Sequence, residues 1–167
     1  MDLVDAMSYA FATLGTGGFA TKNASVGAYH SAAIDWICST FMFLAGINFS
    51  MYHYCLTKKF SDVKNNTELK TYISITVIAS LIITILELGT YGGFFKSLRY
   101  ATFQVVSILT TTGFATADYT LWKPASQTII FALFFIGGCS GSTAGGIKVV
   151  RWAILSKQLK NEINKMI

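Results

Sequence analysis

Two short stretches hold the residues best placed to do chemistry in this 167-residue chain: GTGGFAT at 15–21 and TTTGFAT at 110–116. Such runs offer few reactive side chains but many main-chain carbonyls, which glycine leaves free to turn. Rings of carbonyl oxygens can replace the water shell of a monovalent cation. Each stretch follows a short apolar segment, AMSYAFATL or YATFQVVSIL. Ten helical residues extend roughly 15 Å, about half the hydrocarbon thickness, so neither segment can cross a bilayer. Each reads as a re-entrant half-helix with the negative end of its dipole aimed at the membrane centre. That polarity suits a cation, whereas an anion is favoured by helix N-termini.

The two stretches are copies of one another. At an offset of 95, residues 5–23 lie over 100–118 without a gap and agree at seven positions: Ala6/Ala101, Leu14/Leu109, Thr16/Thr111, Gly18/Gly113, Phe19/Phe114, Ala20/Ala115 and Thr21/Thr116. The same offset sets Ile34 over Ile129 and Gly46 over Gly141. The repeated unit is a span, a half-helix, a Thr/Gly turn and another span, complete over about 72–156 and lacking its leading span in the first copy. Alone, either stretch could be an ordinary interhelical turn. Duplication behind two half-length helices argues against that.

A third motif is FIGGCSGSTAGGIKVVR, residues 135–151. Three readings compete for it. A phosphate-binding loop lacks its Gly-Lys-Ser/Thr run, because Ile147 separates Gly146 from Lys148. Tight helix packing would use the Gly137/Gly141 and Gly141/Gly145 pairs. A broken helix would place an unwound, movable centre beneath the pore. Five glycines between 137 and 146 exceed what packing requires and unravel a helix readily, so the third reading is preferred.

No constellation for catalysis accompanies these motifs: no paired carboxylates, no Cys/His ligand spacing, no nucleophile beside a base. The chain reads as a non-enzyme without a cofactor. Cys38, Cys55 and Cys139 fall in or beside apolar runs and read as small core residues. Asp118 either draws cations to the outer mouth or caps the next segment. Asp35 reads as an N-terminal helix charge, and Glu87 as a carboxylate near the outer end of a span, within reach of water.

The surrounding elements follow from composition. Hydrophobic residues make up 53%, charged residues 13%, mean hydropathy is +0.51 and there is one proline. A soluble domain, a disordered chain and a disulfide scaffold are excluded by those values, and the environment is membrane lipid. Residues 36–57 and 124–147 lack charge, and 71–95 hold only Glu87, so each reads as a span. The expected fold is an all-α polytopic membrane protein with about three transmembrane helices and two re-entrant pore half-helices. Its parts are 1–56 (pore loop and following span), 57–71 (a loop) and 72–167 (the complete repeat). Nine of the thirteen basic residues lie in the 58–70 loop or from Lys148 onward, which makes that side, and the C-terminal tail, cytoplasmic. The net charge of +5 is topological, with no basic stripe for nucleic acid.

LGTGGFAT, SILTTTGFATADY, LAGINFSMYHY and above all IGGCSGSTAGGIKVVR resemble the Trk/Ktr superfamily of potassium uptake proteins, most closely its TrkH branch. The resemblance implies four span–half-helix–span repeats around one K⁺-selective pore in the plasma (inner) membrane, a homodimer, and a cytosolic nucleotide-binding regulatory subunit. It implies that Gly18 and Gly113 are filter glycines of the second and third repeats, with Thr16, Gly17, Thr111 and Thr112 supplying neighbouring carbonyls to K⁺. Gly137, Gly138, Gly141, Ser142, Thr143, Gly145 and Gly146 would form an intramembrane gating loop, with Lys148 just beyond. The first and fourth repeats and one leading span have no counterpart here, so the chain reads as an internal fragment whose other repeats are its partners, with Met1 an accident of truncation. The alternatives are a Na⁺-permeable relative and a non-conducting structural or assembly fragment.

Overall fold

The computed structural model describes residues 1–166, which are helix, turn and loop with no strand among them. Helix α1 (Leu3–Leu14) leads through the first Thr/Gly turn and a 3-10 turn (Ser25–Tyr29) into α2 (Ala32–Ala45) and α3 (Phe49–Leu56). Helices α4 (Phe60–Asn65), α5 (Thr67–Leu86) and α6 (Leu88–Tyr91) follow, then α7 (Phe94–Leu109). The second Thr/Gly turn and a 3-10 turn (Tyr119–Leu121) precede α8 (Pro124–Leu133) and α9 (Val149–Met166).

Among the described residues, α5 alone is long and apolar enough to cross a membrane unbroken, with mean hydropathy 2.0 over its best window. It starts where the Asn66 side chain accepts from the Leu69 N–H. Ile73, Val77, Ile78, Leu81, Ile82 and Ile85 remain exposed on one side, as lipid-facing residues would, while Tyr72, Thr76, Ala79, Ser80 and Ile83 turn inward.

The other two expected spans are broken. The uncharged run 36–57, read as one straight span, bends by 91° between α2 and α3. The four carbonyls from Phe43 to Gly46, across the end of α2, are met by donors other than the amides a continuing helix would bring. Phe43 O accepts from Tyr72 Oη (3.0 Å), Leu44 O from Tyr52 Oη (2.6 Å), Ala45 O from Thr143 Oγ1 (3.2 Å) and Gly46 O from the Cys139 N–H (2.9 Å). Asn48 then caps α3 by accepting from the Ser50 N–H. The run 124–147 holds helix only to Leu133, and helix resumes at Val149.

Helix α7 is the centre of the molecule. It begins at Phe94, earlier than the apolar run 100–117 suggests, and within it Arg99 lies 3.4 Å from Asp35 of α2. Ala101, Val105 and Leu109 pack with Tyr72, Ala79 and Ile83 of α5 in one apolar cluster. Phe103 and Val106 join Tyr9, Cys38 and Met42 in a second cluster, which ties the two copies of the repeat together.

Glu87 departs from its sequence reading. It is 1% exposed and accepts from Thr90 Oγ1 (2.6 Å), Ser126 Oγ (2.7 Å) and the Lys123 N–H (2.9 Å). It thereby anchors the start of α8 to the end of α5.

Candidate ion-binding site

Helices α1 and α7 end in the same three backbone hydrogen bonds. Gly15 N–H bonds Phe11 O, Thr16 N–H bonds Thr13 O and Gly17 N–H bonds Ala12 O. At the second copy the Thr110, Thr111 and Thr112 N–H groups bond Val106, Ile108 and Ser107 O. These are Schellman caps, which ordinarily place glycine at the left-handed residue just past the helix. Here that residue is threonine both times, Thr16 at φ 48° and Thr111 at φ 57°. Holding a β-branched side chain there costs about 1–2 kcal/mol, so something nearby must stabilise it.

Two residues on, the backbone turns left-handed again, at Gly18 (φ 68°) and Gly113 (φ 82°), while Gly17 and Thr112 do not. The two turns lie against each other: a Cβ on Gly18 would collide with the Thr112 carbonyl oxygen, whereas one on Gly113 would meet open space. Gly18 is therefore required by both space and handedness, Gly113 by handedness alone. The second turn is braced by Ser107 Oγ donating to Phe114 O (2.6 Å) and by the Thr110 and Thr112 hydroxyls 2.8 Å apart. Beyond the turns, the Gly27 N–H bonds Ala115 O (3.0 Å), and a cleft of ≈ 450 Å³ opens between Asn23–Gly27 and Ala115–Tyr119. Asp118 beside it caps the 3-10 turn by accepting from the Thr120 hydroxyl (2.6 Å) and N–H (2.9 Å), which hold its carboxyl below the usual range.

The Gly-rich run packs against the inner ends of both turns. Its neck is closed by the Gly137 N–H to Ile147 O (2.7 Å) and the Val149 N–H to Gly138 O (3.2 Å). Glycine is needed at Gly137, where a Cβ would strike the Gly145 carbonyl, and at Gly141 and Gly146, which hold φ 71° and 72°. Neither GxxxG pair sits on a helix, so the packing reading lacks its structural basis. The tip reaches three helix C-termini. Thr143 Oγ1 lies 3.0 Å from Leu14 O of α1 and 3.2 Å from Ala45 O of α2, Thr16 Oγ1 donates to Thr143 O (2.9 Å), and the Gly145 N–H donates to Thr111 Oγ1 (2.6 Å). On its other side, the Phe49 N–H bonds Gly141 O (3.1 Å) and the Ser140 N–H bonds Glu68 Oε1 at the foot of α5 (2.5 Å). Ser142 Oγ donates to Cys139 O (2.6 Å) and the Lys148 ammonium to Ala144 O, both within the run.

Thr16, Gly17, Gly18, Thr111, Thr112 and Gly113 are thus gathered in one place with the run Gly137–Lys148 beside them. Sequence reading missed Asn48, Glu68 and Tyr72, which hold the Gly-rich run and the α2 bend. Only Asn48 left a local signal, as an N-cap residue inside an apolar run.

The family profile described as "TrkH: Cation transport protein" matches residues 70–167. The Trk system potassium uptake protein TrkH of Halomonas elongata is 37% identical over the whole chain, which covers 35% of that relative. The Escherichia coli protein of the same name is 33% identical over the whole chain, again 35% of its length. The crystal structure of the potassium transporter TrkH from Vibrio parahaemolyticus superimposes with a TM-score of 0.91 at 33% identity, covering 99% of this chain and 36% of that one. The chain spans about a third of the length of the relatives it matches.

Proposed function

Because the chain belongs to the TrkH family of cation transport proteins, we propose that it supplies two filter strands and the gate of a potassium-selective pore. The observation that carries this reading is the duplicated backbone: a helix C-terminus, a left-handed threonine and a left-handed glycine, twice, in contact. Carbonyls of Thr16, Gly17, Gly18, Thr111, Thr112 and Gly113 face the ion in place of water, and the negative ends of α1 and α7 favour its charge. The run Gly137–Gly146 acts as the gate beneath them, with Lys148 at its base. Permeation is passive and needs no group-transfer chemistry. The loop 57–71 and the tail from Lys148 lie in the cytoplasm, and the chain sits in the plasma membrane within a larger protein. That protein works as a homodimer with a cytosolic nucleotide-binding subunit.

The test is a chimera in which the matching third of Vibrio parahaemolyticus TrkH is replaced by this chain, assayed in liposomes for K⁺ and Na⁺ flux. The expected result is K⁺-selective flux, with discrimination lost in Gly113→Ser. Unchanged K⁺/Na⁺ discrimination in that variant would sink the filter assignment. Equal K⁺ and Na⁺ flux before any substitution would favour a Na⁺-permeable pore.

A further inference from the structure

The left-handed threonines sit where glycine would satisfy the helix cap with less strain, and they do so in both copies of the repeat. A shared departure of this kind indicates a role for the side chain that glycine cannot fill. Both hydroxyls reach the same object. Thr16 Oγ1 shares its one proton between Thr143 O in the main chain of the Gly-rich run (2.9 Å) and its own neighbour Gly15 O (2.8 Å), and Thr111 Oγ1 accepts from the run's main chain at the Gly145 N–H (2.6 Å). Gly145 approaches so closely that a Cβ there would lie 3.0 Å from Thr111 Oγ1. We infer that Thr16 and Thr111 form a two-point catch that holds the Gly-rich run closed against the turns, a positioning role for their side chains distinct from any carbonyl they offer an ion.

The inference rests on the reading of that run as a gate, and it deepens it. One bond uses the threonine as donor and the other uses it as acceptor, so an apolar isostere serves at neither position while serine serves at both. Each catch residue is also the first left-handed residue of its turn. Release of the run therefore frees the backbone at the entrance of both turns together. The strain held at Thr16 and Thr111 favours release, and the hydrogen bonds oppose it.

Amide hydrogen exchange of the chimera that carries this 167-residue chain, in lipid nanodiscs, tests the catch without requiring flux. Thr111→Gly is expected to speed exchange across Cys139–Ile147 by on the order of tenfold, about the worth of one lost hydrogen bond. Exchange within α7 should stay the same or slow, because glycine relaxes its cap. Thr111→Ser should stay within about twofold of the parent, since it keeps the hydroxyl. Thr16→Gly and Thr16→Ser should behave as the same pair. Unchanged exchange in both glycine variants, or equal acceleration by serine and glycine, overturns the catch. The gate reading fails separately: a run that loosens in Thr111→Gly while K⁺ flux through the chimera stays constant leaves the catch intact and removes the gate.

Discussion

The two copies of the repeat adopt one backbone with two very different supports. In the second copy, Ala101, Val105 and Leu109 of α7 are sealed by α5, and Phe114 just past the turn is 1% exposed. Their counterparts Ala6, Ala10 and Leu14 of α1 lie open, Phe19 is 82% exposed, and an apolar cavity of ≈ 350 Å³ separates α1 from α2. The braces differ as well. Ser107, Thr110 and Thr112 staple the second turn, and the matching positions of the first are Ala12, Gly15 and Gly17. The turn geometry survives without these supports because it is written into the cap and the two left-handed residues, which both copies share. Packing sets how firmly that geometry is held.

Six substitutions break or sharpen the contrast, read by thermal unfolding in detergent unless stated. Leu109→Ala should cost about 3 kcal/mol, as a fully buried leucine does, whereas Leu14→Ala should cost under about 1 kcal/mol. Equal costs would mean that α1 is covered as α7 is. Gly18→Ala should cost about 2–3 kcal/mol, combining left-handed strain with collision against Thr112 O, while Gly113→Ala should show the strain alone, about 1 kcal/mol. The reverse order would place the tighter contact in the other copy. Ser107→Ala should lose about 1–2 kcal/mol and raise amide exchange at the second turn toward that of the first. The smallest effect concerns Glu87, which joins the end of α5 to the start of α8 by accepting from Ser126 Oγ and the Lys123 N–H. Glu87→Gln should be about 1 kcal/mol less stable and should loosen the start of α8, because an amide keeps the shape but gives up one acceptor oxygen.

Local patterns carried much of this in the sequence. The offset of 95 exposed the duplication and the glycine density at 137–146 exposed the break before α9, whereas α7 at Phe94–Leu109 is longer than the ten apolar residues from which it was read. The bend at Gly46–Asn48 was hidden because hydropathy cannot see it. At that bend four carbonyls are met by Tyr72, Tyr52, Thr143 and Cys139, three of which lie between 29 and 98 residues away in sequence. Glu87 misled for the same reason: its burial depends on Ser126 and Lys123 of a helix start that only the fold brings near. The left-handed threonines were visible as residues, but nothing local announces a positive φ at a β-branched position.

Thr143 raises a question of counting protons. Its hydroxyl has one hydrogen and two acceptors within reach, Leu14 O at 3.0 Å and Ala45 O at 3.2 Å. At any instant one of these helix-terminal oxygens goes without that proton, and rotation about a single bond decides which. Side-chain rotors of this kind reorient in picoseconds to nanoseconds where they are exposed. The Thr143 hydroxyl therefore ties the tip of the Gly-rich run to the end of α1 and to the end of α2 in turn, and neither helix is held by it continuously.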